Sequence, residues 1–105
     1  MVDYEFIKEI IPKKKDVREH KQALYKVGDN YVLASRLGSY EGEEGETMLF
    51  DADAAGTVDN WFELWGIRDG KMDLEEAVKQ FASSGENVEE SFKQVRKLKN
   101  KMWSY

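Results

Sequence analysis

The stretch QALYKVGDNYVLASRL, residues 22–37, decides the fold because it has the pattern of a β-hairpin. Both of its arms are rich in Tyr, Val and Leu, which are enriched in strands. The three residues between the arms, Gly-Asp-Asn, are turn formers. The pattern therefore predicts two antiparallel strands, 22–27 and 31–37.

Further strands are predicted on both sides of this hairpin. The segment VDYEFIKEII, residues 2–11, alternates weakly and ends at Pro12, which predicts a strand, with a short helix as the alternative. The segment ETMLF, residues 46–50, follows a loop rich in Gly and Glu and predicts another strand. We expect an antiparallel sheet of three or four strands with one solvated face.

Two helices are predicted to end the chain. In MDLEEAVKQFA the apolar residues recur at helical spacing, and Asp73 is placed as an N-cap with Glu76 completing a capping-box-like pair. A longer helix is predicted after an Asn87 N-cap, with acidic residues early and basic residues late, as the helix dipole favours. We expect helices near 73–83 and 88–102 on one sheet face.

The expected fold is therefore α+β: a small antiparallel sheet of three or four strands covered by two C-terminal helices. A length of 105 residues suits one domain, 1–105, with a single modest core. In that core Phe81, Phe92 and Val95 should be buried together.

The composition limits the class of protein. A chain that is 41% hydrophobic and 35% charged is typical of a soluble globular domain. No apolar run approaches the ~18 residues that would cross a membrane. The first ten residues carry acids where a signal peptide needs bases, so a cytoplasmic protein is expected. Without cysteine there is no disulfide framework, thiolate zinc site or cysteine nucleophile.

Acidic residues are concentrated in the middle of the chain, whose net charge is −5. Residues 37–67 contain eight acids and no Lys or Arg. Such a segment repels nucleic-acid backbone and anionic lipid, and it attracts cations or basic protein surfaces.

The segment DADAAGTVD, residues 51–59, partly matches a calcium loop, with Gly56 at the sixth position. The carboxylate that normally closes the calcium shell at position twelve is replaced by Phe62. We favour a polar turn in which Gly56 has a positive φ and Asp53 or Asp59 accepts backbone amide hydrogen bonds. A calcium- or other cation-binding module using this loop is the alternative function. No residue is assigned as a metal ligand.

The tryptophans beside this loop suggest a binding surface. Trp61 and Trp65 satisfy both helical and strand spacing, and a core this small does not easily bury both. Capping of the open end of the sheet is the simpler explanation, whereas tryptophan is also enriched at interface hot spots. With the acids, the aromatics predict a contact surface for a protein partner with a basic surface. Its residues are Glu41, Glu43, Glu44, Glu46, Trp61, Glu63 and Trp65.

Other functions have less support in the sequence. His20 is the single histidine, it lacks a serine nucleophile context, and no hydrolase motif is present, so neither an enzyme nor a cofactor is expected. A basic stripe on the second helix consists of Lys93, Lys97 and Lys101. Glu89 lies four residues before Lys93, an i,i+4 pair that is typical of a solvated helix face. Direct nucleic-acid binding is therefore not expected.

A short motif resembles a group of small bacterial and phage or prophage proteins of uncharacterised function. Its pattern is E-T-M, a hydrophobic residue and F, then D-x-x-G-x-V-x-x-W-x-E-L. The matching residues are Glu46, Thr47, Met48, Leu49, Phe50, Asp53, Gly56, Val58, Trp61, Glu63 and Leu64. The likeness covers about residues 31–80. It implies an α+β accessory protein, encoded by a phage or another mobile element, with no activity to carry over.

Overall fold

A computed structural model describes residues 2–11, 20–38, 45–59, 61–68 and 72–102 of the chain. Within them, five strands precede two helices. The elements are β1 Tyr4–Ile10, β2 His20–Val27, β3 Asn30–Leu37, β4 Glu46–Ala52, β5 Glu63–Ile67, α1 Leu74–Ala82 and α2 Glu86–Met102. The strands form one antiparallel meander in the order β1-β2-β3-β4-β5. The α+β prediction is confirmed, with one strand more than the largest predicted number.

The additional strand is β5, which lies in the segment where the sequence fitted helix and strand equally well. A register shift in the pairing of β4 and β5 falls between Leu49 and Phe50: Leu49 pairs with Trp65, and Phe50 pairs with Glu63. Leu64 is therefore an extra residue on β5, and a bulge of this kind interrupts the alternation that would have identified the strand.

The central hairpin forms as predicted, with a tighter turn. Val27 pairs with Asn30, so Gly28 and Asp29 alone form the turn and Asn30 already belongs to β3. Gly28 has φ of 59°, a left-handed conformation that glycine adopts without steric cost. Its N–H donates to the Asp3 carbonyl at 2.8 Å, which ties the start of the chain to the hairpin.

The sheet has two different faces, because side chains alternate along each strand. The helix face carries buried residues such as Tyr25, Val32 and Leu49, which join the helices in the main core. The outer face carries a smaller buried row of Leu24, Leu33 and Phe50, in register across β2, β3 and β4. Both faces are thus partly apolar, although one solvated face was predicted.

The helices close the main core as the sequence predicted. The Phe81 and Phe92 rings meet edge to face, with centroids 6.0 Å apart. Both residues and Val95 are buried in the same cluster. An edge-to-face aromatic pair adds about 0.5–1.5 kcal/mol beyond the burial of its area. Among the described residues, no helix is long and apolar enough to cross a membrane.

The helix N-termini differ partly from expectation. The Asp73 carboxylate accepts from the Leu74 N–H at 2.9 Å, which confirms the N-cap of α1. Glu76 instead accepts a side-chain hydrogen bond from Gln80 at 3.5 Å, which points along the helix and away from a capping box. The second helix begins at Glu86, so Asn87 lies in its first turn and the prediction of Asn87 as N-cap is wrong.

Candidate protein-binding surface

The segment after β4 is a polar turn, as the sequence predicted. Asp53 Oδ1 accepts hydrogen bonds from the N–H groups of Ala55 and Thr57, both at 2.9 Å. The Gly56 N–H donates to the Asp53 carbonyl at 3.0 Å, and Gly56 has φ of 88°. Asp53 therefore holds the turn through its own side chain, as aspartate commonly does.

The carboxylates of the calcium-like loop have different neighbours. Asp51 lies on β4 and binds Arg96 of α2, with Arg96 Nε 2.9 Å from Asp51 Oδ2. Asp53 is engaged by backbone amides within the turn. In the part of the chain that the structure describes, no three acidic or histidine side chains converge as metal ligands would. Cation binding by residues 51–59 stays a prediction that this arrangement does not favour.

The loop that follows the turn places Trp61 against the outer face. Gly56 packs so closely on Ile10 that a Cβ on the glycine would lie 3.1 Å from Ile10 Cδ1. The Trp61 ring meets Phe50 edge to face, with centroids 4.9 Å apart and planes at 75°. Phe50 is buried, whereas Trp61 is 60% exposed. The indole is therefore positioned by a core residue and still presents most of its surface to solvent.

Two predicted acids, Glu46 and Glu63, lie on the same face as this aromatic pair. Glu63 pairs in register with Phe50, the residue on which Trp61 packs. Glu63 and Glu46 also line one recess of about 180 Å³, together with Met48, Gly66, Ile67 and Arg68. A Cβ at Gly66 would lie 3.1 Å from Glu63 Oε1, so the missing side chain leaves room for the carboxylate.

Among the acids of the central segment that the structure describes, Glu46 and Glu63 are available for a ligand. Asp51 is engaged by Arg96, and Asp53 by the turn. Within the described ranges, no ion pair joins Glu46 or Glu63 to a basic side chain. Arg68 lines the same recess, so the described lining has two acids and one base.

The second tryptophan lies apart from this surface. Trp65 pairs with Leu49 on the helix face and packs, half-buried, against the main core. Of the predicted contact residues, the structure places Glu46 and Glu63 in one recess of the outer face and Trp61 on the same face. Trp65 lies on the helix face. Glu41, Glu43 and Glu44 lie outside the described residues.

A polar contact on the outer face escaped the sequence analysis. His20 Nε2 lies 3.2 Å from Ser35 Oγ, which Gln22 Nε2 also approaches at 3.5 Å. The pairing of β2 with β3 brings these residues together across fifteen positions of chain, which the sequence around His20 does not reveal. Ser35 is only 5% exposed, and both contacts satisfy a buried hydroxyl.

The chain was compared with protein-family models, curated proteins and solved structures, and none of the three comparisons finds a match. The resemblance of the central motif to small phage and bacterial proteins stays a prediction.

Proposed function

We propose that this protein acts by binding a partner protein with a basic surface, and that the contact is made by Trp61, Glu46 and Glu63 on the outer face. The observation that carries the proposal is that Trp61 is held in place by packing and is nevertheless exposed. Its ring is held by the buried Phe50, yet 60% of the residue is open to solvent.

An exposed, positioned tryptophan suits the centre of an interface. Tryptophan is among the residues that most often dominate binding energy, because burial of its large ring on contact excludes much water. The contact with Phe50 restricts the ring before binding, so less side-chain freedom is lost when a partner covers it.

The acids on the same face as Trp61 determine which partner is favoured. Glu46 and Glu63 share one recess, in which a Lys or Arg side chain of the partner can lie between carboxylates. Glu41, Glu43 and Glu44 come shortly before β4 in the sequence and add negative charge to this part of the chain. Complementary charge mainly raises the association rate, and its effect weakens with added salt.

The wider setting follows from the sequence. The chain is proposed to be a cytoplasmic accessory protein of a phage or another mobile element, acting without catalysis and without a cofactor. The central motif, the absence of cysteine and the acidic middle segment support this setting.

The experiment is a pull-down from bacterial lysate with the wild type and three variants, followed by affinity measurement with the partner that is identified. Trp61→Ala and the double variant Glu46→Gln/Glu63→Gln should both lose the same partner, whereas Glu75→Gln/Glu90→Gln on exposed helix positions should retain it. Loss of a hot-spot tryptophan should weaken binding by roughly thirtyfold or more. Unchanged melting of each variant shows that the fold is intact. A partner that binds all variants equally contradicts the proposal.

A further inference from the structure

The first strand is an edge of the sheet with unusual apolar exposure. β1 pairs with β2 on one side and is the terminal strand of the five. Six large hydrophobic side chains are exposed in the described part of the chain, and three of them lie in residues 6–11. They are Phe6 at 58%, Ile7 at 38% and Ile11 at 83% exposure. An open edge of this kind presents backbone N–H and C=O groups that can pair with another strand.

A bulge determines how β1 can pair. Phe6 is opposite Tyr25 and Lys8 is opposite Leu24, so Ile7 is an extra residue with no counterpart on β2. Phe6 therefore lies on the helix face, where it meets the Tyr25 ring at 5.6 Å, and Lys8 lies on the outer face. Before the bulge, even-numbered side chains point to the helix face; after it, even-numbered side chains point to the outer face.

We propose that β1 pairs antiparallel with β1 of a second copy of this chain, about a two-fold axis between Phe6 and Ile7. Phe6 of each copy then lies opposite Ile7 of the other. Glu5 lies opposite Lys8, and Tyr4 lies opposite Glu9. The two five-stranded sheets become one continuous sheet, joined by a self-complementary contact of the kind that two-fold dimers use.

The bulge makes this register possible. Residues opposite each other on antiparallel strands must point to the same face. In a regular strand Glu5 and Lys8 point to opposite faces, because they are an odd number of residues apart. Here Glu5 pairs with Lys26 and Lys8 pairs with Leu24, so Glu5 and Lys8 both point to the outer face. Glu5 of one copy can therefore meet Lys8 of the other. Tyr4 and Glu9 meet on the helix face in the same way.

The charges of the strand favour the same register. Each Glu5 meets a Lys8, so the two-fold axis creates two pairs of opposite charge directly across the new ladder. Lysine on an edge strand usually discourages pairing with other chains. In this register it has an acidic partner and helps to select a second copy. Phe6 and Ile7 of both copies form an apolar centre that is shielded from water between these pairs.

The experiment is sedimentation equilibrium at protein concentrations up to about 1 mM. It compares wild type with variants in which exposed charged residues are exchanged. Wild type should associate to a dimer. Glu5→Lys and Lys8→Glu should each weaken association at least several-fold, because each places like charges opposite each other twice. The double variant Glu5→Lys/Lys8→Glu should restore wild-type association. Glu90→Lys and Lys93→Glu on α2 make the same changes in net charge and should have no effect.

A second measurement separates association from folding. Amides of residues 4–10 should gain protection from hydrogen exchange as the concentration rises, and far-UV circular dichroism of each variant should match wild type. The proposal is overturned if the wild type stays monomeric over the whole range. It is equally overturned if the wild type dimerises and the double exchange fails to rescue the single ones. Neither result bears on Trp61, so the proposed partner surface is tested separately.

Discussion

Arg96 on α2 clamps the carboxylate of Asp51 on β4 with two hydrogen bonds. Arg96 Nε lies 2.9 Å from Asp51 Oδ2, and Nη2 lies 3.1 Å from Oδ1. The same Nη2 donates to Asn30 Oδ1 at 3.0 Å. The hydrogen bonding of the guanidinium to Asp51 is the main reason why the pKa of Arg96 is raised above its ordinary value. The forked contact therefore links α2 to β4, and its bond to Asn30 links α2 to β3.

The first prediction concerns this clamp. Arg96→Met removes the guanidinium, which also lies 5.0 Å over the Phe92 ring, and keeps an unbranched side chain, whereas Asp51→Asn keeps the shape of the acid. Because half of the Arg96 side chain is exposed, we expect a coupling free energy of about 0.5–1 kcal/mol. Urea unfolding of wild type, both single variants and the double variant measures it. A coupling of zero, unchanged by salt, would show that the clamp contributes nothing to stability.

The second prediction tests the aromatic pair that joins the helices. Phe92→Ala should lower the free energy of unfolding by about 3–5 kcal/mol. The residue is buried against Phe81, so the truncation loses buried apolar surface and leaves a cavity in the core. Phe6→Ala is the matched control, since Phe6 is 58% exposed and should cost about 1 kcal/mol or less. Denaturant unfolding in dilute solution checks both. Equal costs at the two positions would place Phe92 outside the core.

The parts of the fold that were predictable from sequence are those encoded locally. The hairpin of β2 and β3 is signalled by two apolar arms and a turn that lie within one short stretch. The stripe through Phe81 and the cap at Asp73 identify α1 in the same way. Each of these signals lies within the element that it specifies, so no knowledge of the tertiary structure is needed.

The missed features depend on contacts between distant segments. Trp61 and Trp65 have spacing that fits both periodicities, and only the pairing of β5 with β4 sends them to different faces. The His20 contact with Ser35 follows from strand register, which no residue near His20 reveals. For the candidate surface, the sequence therefore grouped the half-buried Trp65 with Glu46, Trp61 and Glu63, although strand pairing places it on the helix face.

The third prediction concerns alkaline pH. Burial, aided by the nearby acids Glu75 and Asp73, raises the pKa of Tyr25 from 10.0 to about 12. Between these values the unfolded chain has lost a proton that the folded chain keeps, so stability is full below pH 10.0 and falls as the pH rises toward about 12. The loss should be on the order of 2 kcal/mol.

Urea unfolding at a pH below 10.0 and at a pH between 10.0 and about 12 measures this loss. Tyr25→Phe is the control. The phenylalanine variant has no hydroxyl to titrate, so its stability should change less over the same interval. If the two proteins lose stability equally, Tyr25 is not the group responsible.

The last prediction compares two glycines with similar backbone conformation and different surroundings. Gly56 and Gly85 have φ of 88° and 63°, both in the left-handed region that disfavours a Cβ. A Cβ at Gly85 meets nothing within 4 Å, whereas one at Gly56 lies 3.1 Å from Ile10 Cδ1. Gly85→Ala should therefore cost about 1–2 kcal/mol from backbone strain alone. Gly56→Ala should cost more, because Ile10 must also move.

The two variants differ as well in their effect on Trp61, which the loop after Gly56 holds on Phe50. Displacement of this loop by Gly56→Ala should change the tryptophan fluorescence of the folded protein, and Gly85→Ala, at the distant junction of the helices, should leave it unchanged. Denaturant unfolding gives the stabilities, and emission spectra give the position of the indole. Equal stability losses with identical spectra would show that the turn does not position Trp61 on the outer face.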